Sequence, residues 1–169
     1  MHETAMQERV EPWSRAAGGT LMAVEPKLTQ GTVLGFDFGL RRTGVAVGDL
    51  GLGIAHPLCT VEGRSDEERF ALIADLVIEW SPVLFVLGLP TQEDGSEHKL
   101  ARPVRHFGRQ LTRRFDVPVE FVDERLTSSE AHSNLRSAGI GGRAQKRVLD
   151  QAAAQVILES FLNGRHASS

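Results

Sequence analysis

Asp37 is the first residue whose setting suggests chemistry. It follows the apolar run Val33–Phe36, enters a glycine-rich turn, and a second strand-like run, Thr43–Val47, leaves that turn at once. A buried, unpaired carboxylate is costly, so an acid at a strand end either caps its turn at an edge or holds a metal. Gly39 and Gly44 permit a tight turn and the close approach of another backbone, a phosphate or a metal. Two further acids, Asp123 and Glu124, close the strand-like VPVEFV. A last one, Asp150, sits in the helical pattern RVLDQAAAQ beside Leu149, Ala152, Ala153 and Ala154. The bland reading of Asp150 is a solvated pair with Lys146 four residues earlier, worth about 0.2–0.5 kcal/mol. The sharper reading is a carboxylate beside a packed helix face that meets the strand-end acids.

The elements that must position these acids parse from periodicity. Strands are expected at Val33–Phe38, Thr43–Asp49 and Ile54–Val61. Ser65 is an N-cap with Glu68 completing a capping box. The helix that follows should turn Phe70, Ile73, Ala74, Val77 and Ile78 inward and stop before Pro82. Val83–Leu87 is a continuous apolar run suited to a strand covered on both faces, ended by Gly88-Leu89-Pro90. After a polar loop over Thr91–Ser96, a helix to about Arg114 buries Val104, Phe107 and Leu111, with Pro103 in its first turn or at a kink. A strand at Val117–Val122, a short helix from Thr127 or Ser128 to Gly139, a hinge at Gly141-Gly142 and a helix from about Ala144 to Leu162 complete the chain. Three strands followed by alternating helices and strands predict an α/β fold, a mixed five-stranded sheet with helices on both faces and right-handed crossovers. Ligands gather at the carboxyl ends of parallel strands, so Asp37 and Asp123–Glu124 should share one rim. Asp123 faces away from Glu124 if the strand continues, which gives it a supporting role.

Composition narrows the partners. The 169 residues carry 41% hydrophobic and 24% charged side chains and a net charge of −3. That excludes a uniformly basic coat but leaves room for local basic patches. The single cysteine, Cys59, allows no intramolecular disulfide or thiolate cage, fits a reducing cytoplasm, and reads as a small core residue. No apolar run approaches about 18 residues, so no membrane span is expected. Residues 1–30 read as a flexible tail, since Glu3, Glu8, Glu11 and Arg15 interrupt any signal-peptide core.

Positive charge near the acids would serve an anionic substrate. Arg41 and Arg42 flank Asp37, and Arg125 follows Glu124. Arg143, Lys146 and Arg147 precede Asp150. Arg102, Arg105, Arg109 and Arg113 form a stripe on one helix face with His106 beside it, either a solvated face or a phosphate track. Tyr is absent and Phe is scattered in apolar runs, so no base-stacking platform is visible.

DFGLRRTGVAVGD, VLGLP with the following DGSE loop, DERLTSSEA and LDQAAAQVIL occur in this order over residues 33 to 163. Together they resemble the YqgF family, also called RuvX, Holliday-junction-resolvase-like bacterial proteins assigned to processing the ends of pre-16S ribosomal RNA. The resemblance implies an RNase H-like nuclease domain over residues 31–165. It also implies that Asp37, Glu124 and Asp150 are metal-binding catalytic acids. Such a site would take two Mg²⁺ or Mn²⁺ ions, with Asp37 bridging both. Arg41, Arg42, Arg125, Lys146 and Arg147 would meet the nucleic acid, with RNA favoured over branched DNA, for a cytoplasmic monomer or homodimer. Two alternatives stay open: a junction-type DNA resolvase, and an RNase H-like scaffold that binds RNA or a transcription complex without turnover. A protein kinase is excluded, because DFG stands without a catalytic loop or its lysine. An actin-type ATPase needs two lobes, and this chain carries one.

Overall fold

The computed structural model describes residues 28–92, 94, 96–124 and 142–168. Residues 1–27 of the expected tail over residues 1–30, the short helix from Thr127 or Ser128, Gly141 and Arg125 lie outside the described residues.

Five strands form one sheet: β1 (Thr32–Asp37), β2 (Arg42–Asp49), β3 (Ile54–Glu62), β4 (Leu84–Leu89) and β5 (Val119–Asp123), in the order β3-β2-β1-β4-β5. β1 pairs antiparallel with β2 and β2 with β3, while β1–β4 and β4–β5 are parallel. Helices α1 (Asp66–Trp80) and α2 (Ala101–Phe115) cover one face, and α3 (Arg143–Ser168) covers the other. The mixed sheet with helices on both faces is thus the one the element order predicts.

Alternation assigns the faces. On β1, Val33 joins the α3 side, while Leu34 and Phe36 join α1 and α2. On β4, Leu84 and Val86 pack under Ile157, Leu158 and Leu162 of α3, while Phe85 and Leu87 pack against Phe107 and Leu111 of α2. The α1/α2 side also holds an aromatic cluster in which Phe107 meets Phe36 edge-on at 5.7 Å and Phe70 at 5.5 Å. Such pairs add about 0.5–1.5 kcal/mol each beyond burial.

Local signals act as expected at α1. The Ser65 hydroxyl accepts from the Glu68 N–H at 3.2 Å, and Glu68 Oε2 accepts from the Arg64 N–H at 2.7 Å. Most boundaries shift by about one residue; three shifts and one side chain have a clear physical reason or consequence. β4 runs through Gly88 to Leu89, because Gly88 pairs with Val122 instead of breaking the strand. β5 begins at Val119, since Pro118 has no N–H to give the ladder and offers only its carbonyl, to the Phe85 N–H. α3 continues past Leu162 to Ser168. Ile78 is 78% exposed, and Arg69 of the same helix is buried instead. Cys59 is half-buried against the α1/α2 cluster, and burial pushes its thiol pKa up, which keeps it protonated and inert.

Candidate nucleic-acid cleavage site

Two glycines explain how three acids reach one rim. Gly44 on β2 lies directly opposite Asp37 on β1. A Cβ on Gly44 would overlap the carbonyl oxygen of Asp150 and lie 3.0 Å from the Asp150 Cβ. Helix α3 therefore rests its Asp150 turn directly on the β2 backbone. Residues directly opposite each other in a ladder project to the same face, so Asp37 and Asp150 lie on the α3 side together. The sequence reading allowed Gly44 either a turn or a close backbone approach; the approach is what the fold uses. Gly39 serves the turn, where a Cβ would overlap the Arg42 carbonyl oxygen.

Gly88 does the same for Glu124. A Cβ there would lie 2.7 Å from Glu124 Oε1 and 2.5 Å from Ile157 Cδ1. Gly88 is one step beyond the registered pair Phe36↔Leu87, so it stands beside Asp37 on the next strand. Asp37, Glu124 and Asp150 thus lie over three neighbouring strands, β1, β4 and β2, each about 4.8 Å apart. Val122 belongs to the α3 side, which puts Glu124 on that side and Asp123 on the other. Asp123 accepts a hydrogen bond from the Thr91 hydroxyl at 2.7 Å, tying the loop after β4 to the end of β5.

The cations distribute unevenly. Arg42 Nε donates to Asp150 Oδ2 at 2.7 Å, with the two side chains 27% and 21% exposed. This pairing across the sheet replaces the local Lys146 partner that helix spacing offers. Arg147 pairs with Glu62, and its backbone carbonyl accepts from the Thr60 hydroxyl at 2.8 Å, which clamps α3 onto the edge strand β3. Arg41 and Lys146 are exposed. The α2 stripe of Arg102, Arg105, Arg109 and Arg113 is exposed on the helix layer across the sheet from α3, with Arg105 paired to Glu97 at 2.6 Å.

Arg69 has no counterpart in the sequence reading. It is 5% exposed, donates from Nη2 to the Leu40 carbonyl, and stacks 5.2 Å over the Phe38 ring. Burial pulls its pKa down, with Asp66 opposing more weakly. It therefore holds both sides of the turn that follows Asp37 from beneath. Its only sequence signal is a charge on an otherwise inward helix face. Arg69→Met should lower stability by about 2 kcal/mol, since hydrogen bonds from a charged group contribute about 1.5–3 kcal/mol and the Leu40 carbonyl would lose its donor. Urea unfolding checks this; an unchanged midpoint would mean that the turn stands without Arg69.

Oxygen donors on one rim suit hard divalent cations. Among the described residues no group of three or more acidic, imidazole or thiol side chains stands close enough together to hold a metal ion as the side chains are placed. Even so, the donor chemistry fits. Three carboxylates face one side, two glycines leave the space that side chains would fill, and Arg42 supplies positive charge at Asp150.

The sheet order and its covering helices define an RNase H-like α/β domain. A solved structure, "T. thermophilus RuvC in complex with Holliday junction substrate", shares the fold with a TM-score of 0.51 at 16% identity, over 80% of this chain and 96% of that one. The chain belongs to the RuvX family, whose model, described as "Holliday junction resolvase", matches residues 31–164. Relatives named "Putative pre-16S rRNA nuclease" include one from Methylobacillus flagellatus, 53% identical over 136 residues, covering 80% of this chain and 93% of the relative. Another, from Neisseria gonorrhoeae, is 54% identical over 138 residues, covering 82% of this chain and 91% of its own. No helix among the described residues is long and apolar enough to cross a membrane.

Proposed function

We propose that this protein is a divalent-metal-dependent nuclease that trims the ends of pre-16S ribosomal RNA. The observation that carries the reading is the seating of Asp150 on Gly44, opposite Asp37, with Glu124 over Gly88 on the neighbouring strand. The relatives' names supply the substrate.

In this reading Asp37, Glu124 and Asp150 would hold divalent metal, Mg²⁺ or Mn²⁺. When bound, such ions clamp the attacking and leaving oxygens of an in-line displacement. A water oxygen adds to phosphorus, the bridging P–O bond breaks, and the products carry one phosphate and one hydroxyl end. Three acids drawn together on a metal would repel one another without it: two unit charges about 4 Å apart interact by roughly 4 kcal/mol at an effective dielectric near 20. Arg42 offsets part of that repulsion at Asp150 and keeps the carboxylate oriented. Arg41 and Lys146 meet substrate phosphates, and Arg125 is assigned to them by its place after Glu124.

A second reading, cleavage of branched DNA, has the family description and the fold of RuvC in its favour. It requires two opposed sites, hence a dimer, whereas end trimming needs one. The deciding experiment offers labelled single-stranded RNA carrying ribosomal flanking sequence and a four-way DNA junction, each with Mg²⁺, Mn²⁺ or EDTA. Metal-dependent trimming of the RNA is the expected result. Cutting of the junction alone moves the function to recombination. RNA binding that ignores EDTA, without cleavage of either substrate, makes the chain a scaffold.

A further inference from the structure

Beside the acidic rim runs an open groove of about 700 Å³, lined by Leu40, Arg41, Glu62, Arg64, Glu68 and Arg143 among others. Three separate segments bring one arginine each: the β1–β2 turn, the β3–α1 connection and the start of α3. Both acids of the groove are already engaged, Glu62 by Arg147 and Glu68 by the Arg64 N–H. Among the described residues none of Arg41, Arg64 and Arg143 has an ion-pair partner, and all three are exposed. The first turn of α3 carries no acid, so the positive end of that helix adds to the field at Arg143.

We propose that Arg41, Arg64 and Arg143 form a phosphate-binding groove that carries the backbone of a single-stranded RNA past the carboxylate rim. The proposal rests on the nuclease reading above and deepens it by naming which cations hold the strand. Arg42 and Arg147, equal candidates by sequence, are committed to Asp150 and Glu62 and leave the task to others. Arg41 adjoins the residue that pairs with Asp150, and Arg143 lies seven residues before Asp150 on α3, about 10 Å along the helix axis. A strand seated in the groove therefore passes directly to the acids. Among the described residues no aromatic side chain lines the groove, so the groove reads backbone charge and not base identity.

The test is fluorescence anisotropy of a short labelled single-stranded RNA over a salt series in EDTA, which removes cleavage from the readout. The full chain is compared with Arg41→Gln/Arg64→Gln/Arg143→Gln and with each single variant. The triple variant should bind at least about 10-fold more weakly, with the slope of log K against log salt flatter by about 2, or about 0.7 for each lost phosphate. The single Arg64→Gln variant, an exposed change in a connecting loop, should flatten the slope by about 0.7 and guards against a triple variant that fails to fold. An unchanged slope in Arg64→Gln overturns the proposal, as does a loss found instead in Arg109→Gln/Arg113→Gln on α2. A wild-type chain that cleaves RNA while the triple variant binds like wild type removes the groove and leaves the nuclease. RNA binding lost in the triple variant of a chain that cleaves nothing keeps the groove and removes the nuclease.

Discussion

Asp37→Asn should lose more than about 100-fold of metal-dependent phosphodiester cleavage and still melt within a few degrees of the unchanged chain. The loss follows from position. Asp37 ends β1 between the strand that carries Gly44 under Asp150 and the strand that carries Gly88 under Glu124. It is the one acid of the three with a proposed partner on each side. Altering groups that merely support a metal ligand costs about 10–100-fold, so removing a proposed ligand itself should cost more. The amide keeps the size of the side chain and most of its hydrogen bonding. It also removes one negative charge from a rim that carries three, which lowers their mutual repulsion. A cleavage assay beside a thermal melt reads both effects. Full activity in a folded Asp37→Asn chain would take Asp37 out of the site; loss of activity together with unfolding would make it structural.

The second large effect is expected from a single methyl group. Gly44→Ala drives a Cβ into the Asp150 carbonyl, which is backbone and cannot rotate away. Either β2 or α3 must move. Overpacking of this kind costs about 1–3 kcal/mol, occasionally more. For a chain of this size that is a fall of roughly 2–12 °C in melting temperature. Activity should fall further than stability explains, because the displaced segment carries Asp150, and a displacement of about 1 Å in a reacting constellation can cost about 100-fold. Gly164→Ala, in the same helix but with nothing within 4 Å of the new Cβ, is the matched comparison. It should be neutral or stabilise the helix by about 0.5–1 kcal/mol. Equal melting temperatures and rates for the two variants would show that α3 is not held on β2 at Gly44.

The local architecture was legible in the sequence. The Ser65–Glu68 box, the inward Phe70 and Ile73 of α1 and the inward Val104, Phe107 and Leu111 of α2 each arise from neighbours within about four residues, and the structure keeps them. The mixed sheet and the shared rim of Asp37 and Glu124 follow from element alternation, because right-handed crossovers leave few topologies, while the strand order came from the fold. The tertiary structure decided which partner each side chain meets. Local spacing offers Asp150 the nearby Lys146; the fold gives it Arg42, 108 residues away in the chain. Gly88 reads as a strand terminator, yet it is a strand residue whose missing side chain makes room for Glu124. Ile78 continues an apolar face that the sheet does not reach, while Arg69 lands beneath the β1–β2 turn and is buried. Arg64 carries no motif and becomes part of a basic groove only because α3 starts beside it. Periodicity reports which face of an element is apolar. It cannot report how far the covering element extends or which distant backbone comes to rest on a glycine, since those depend on the register and placement of segments far apart in the chain.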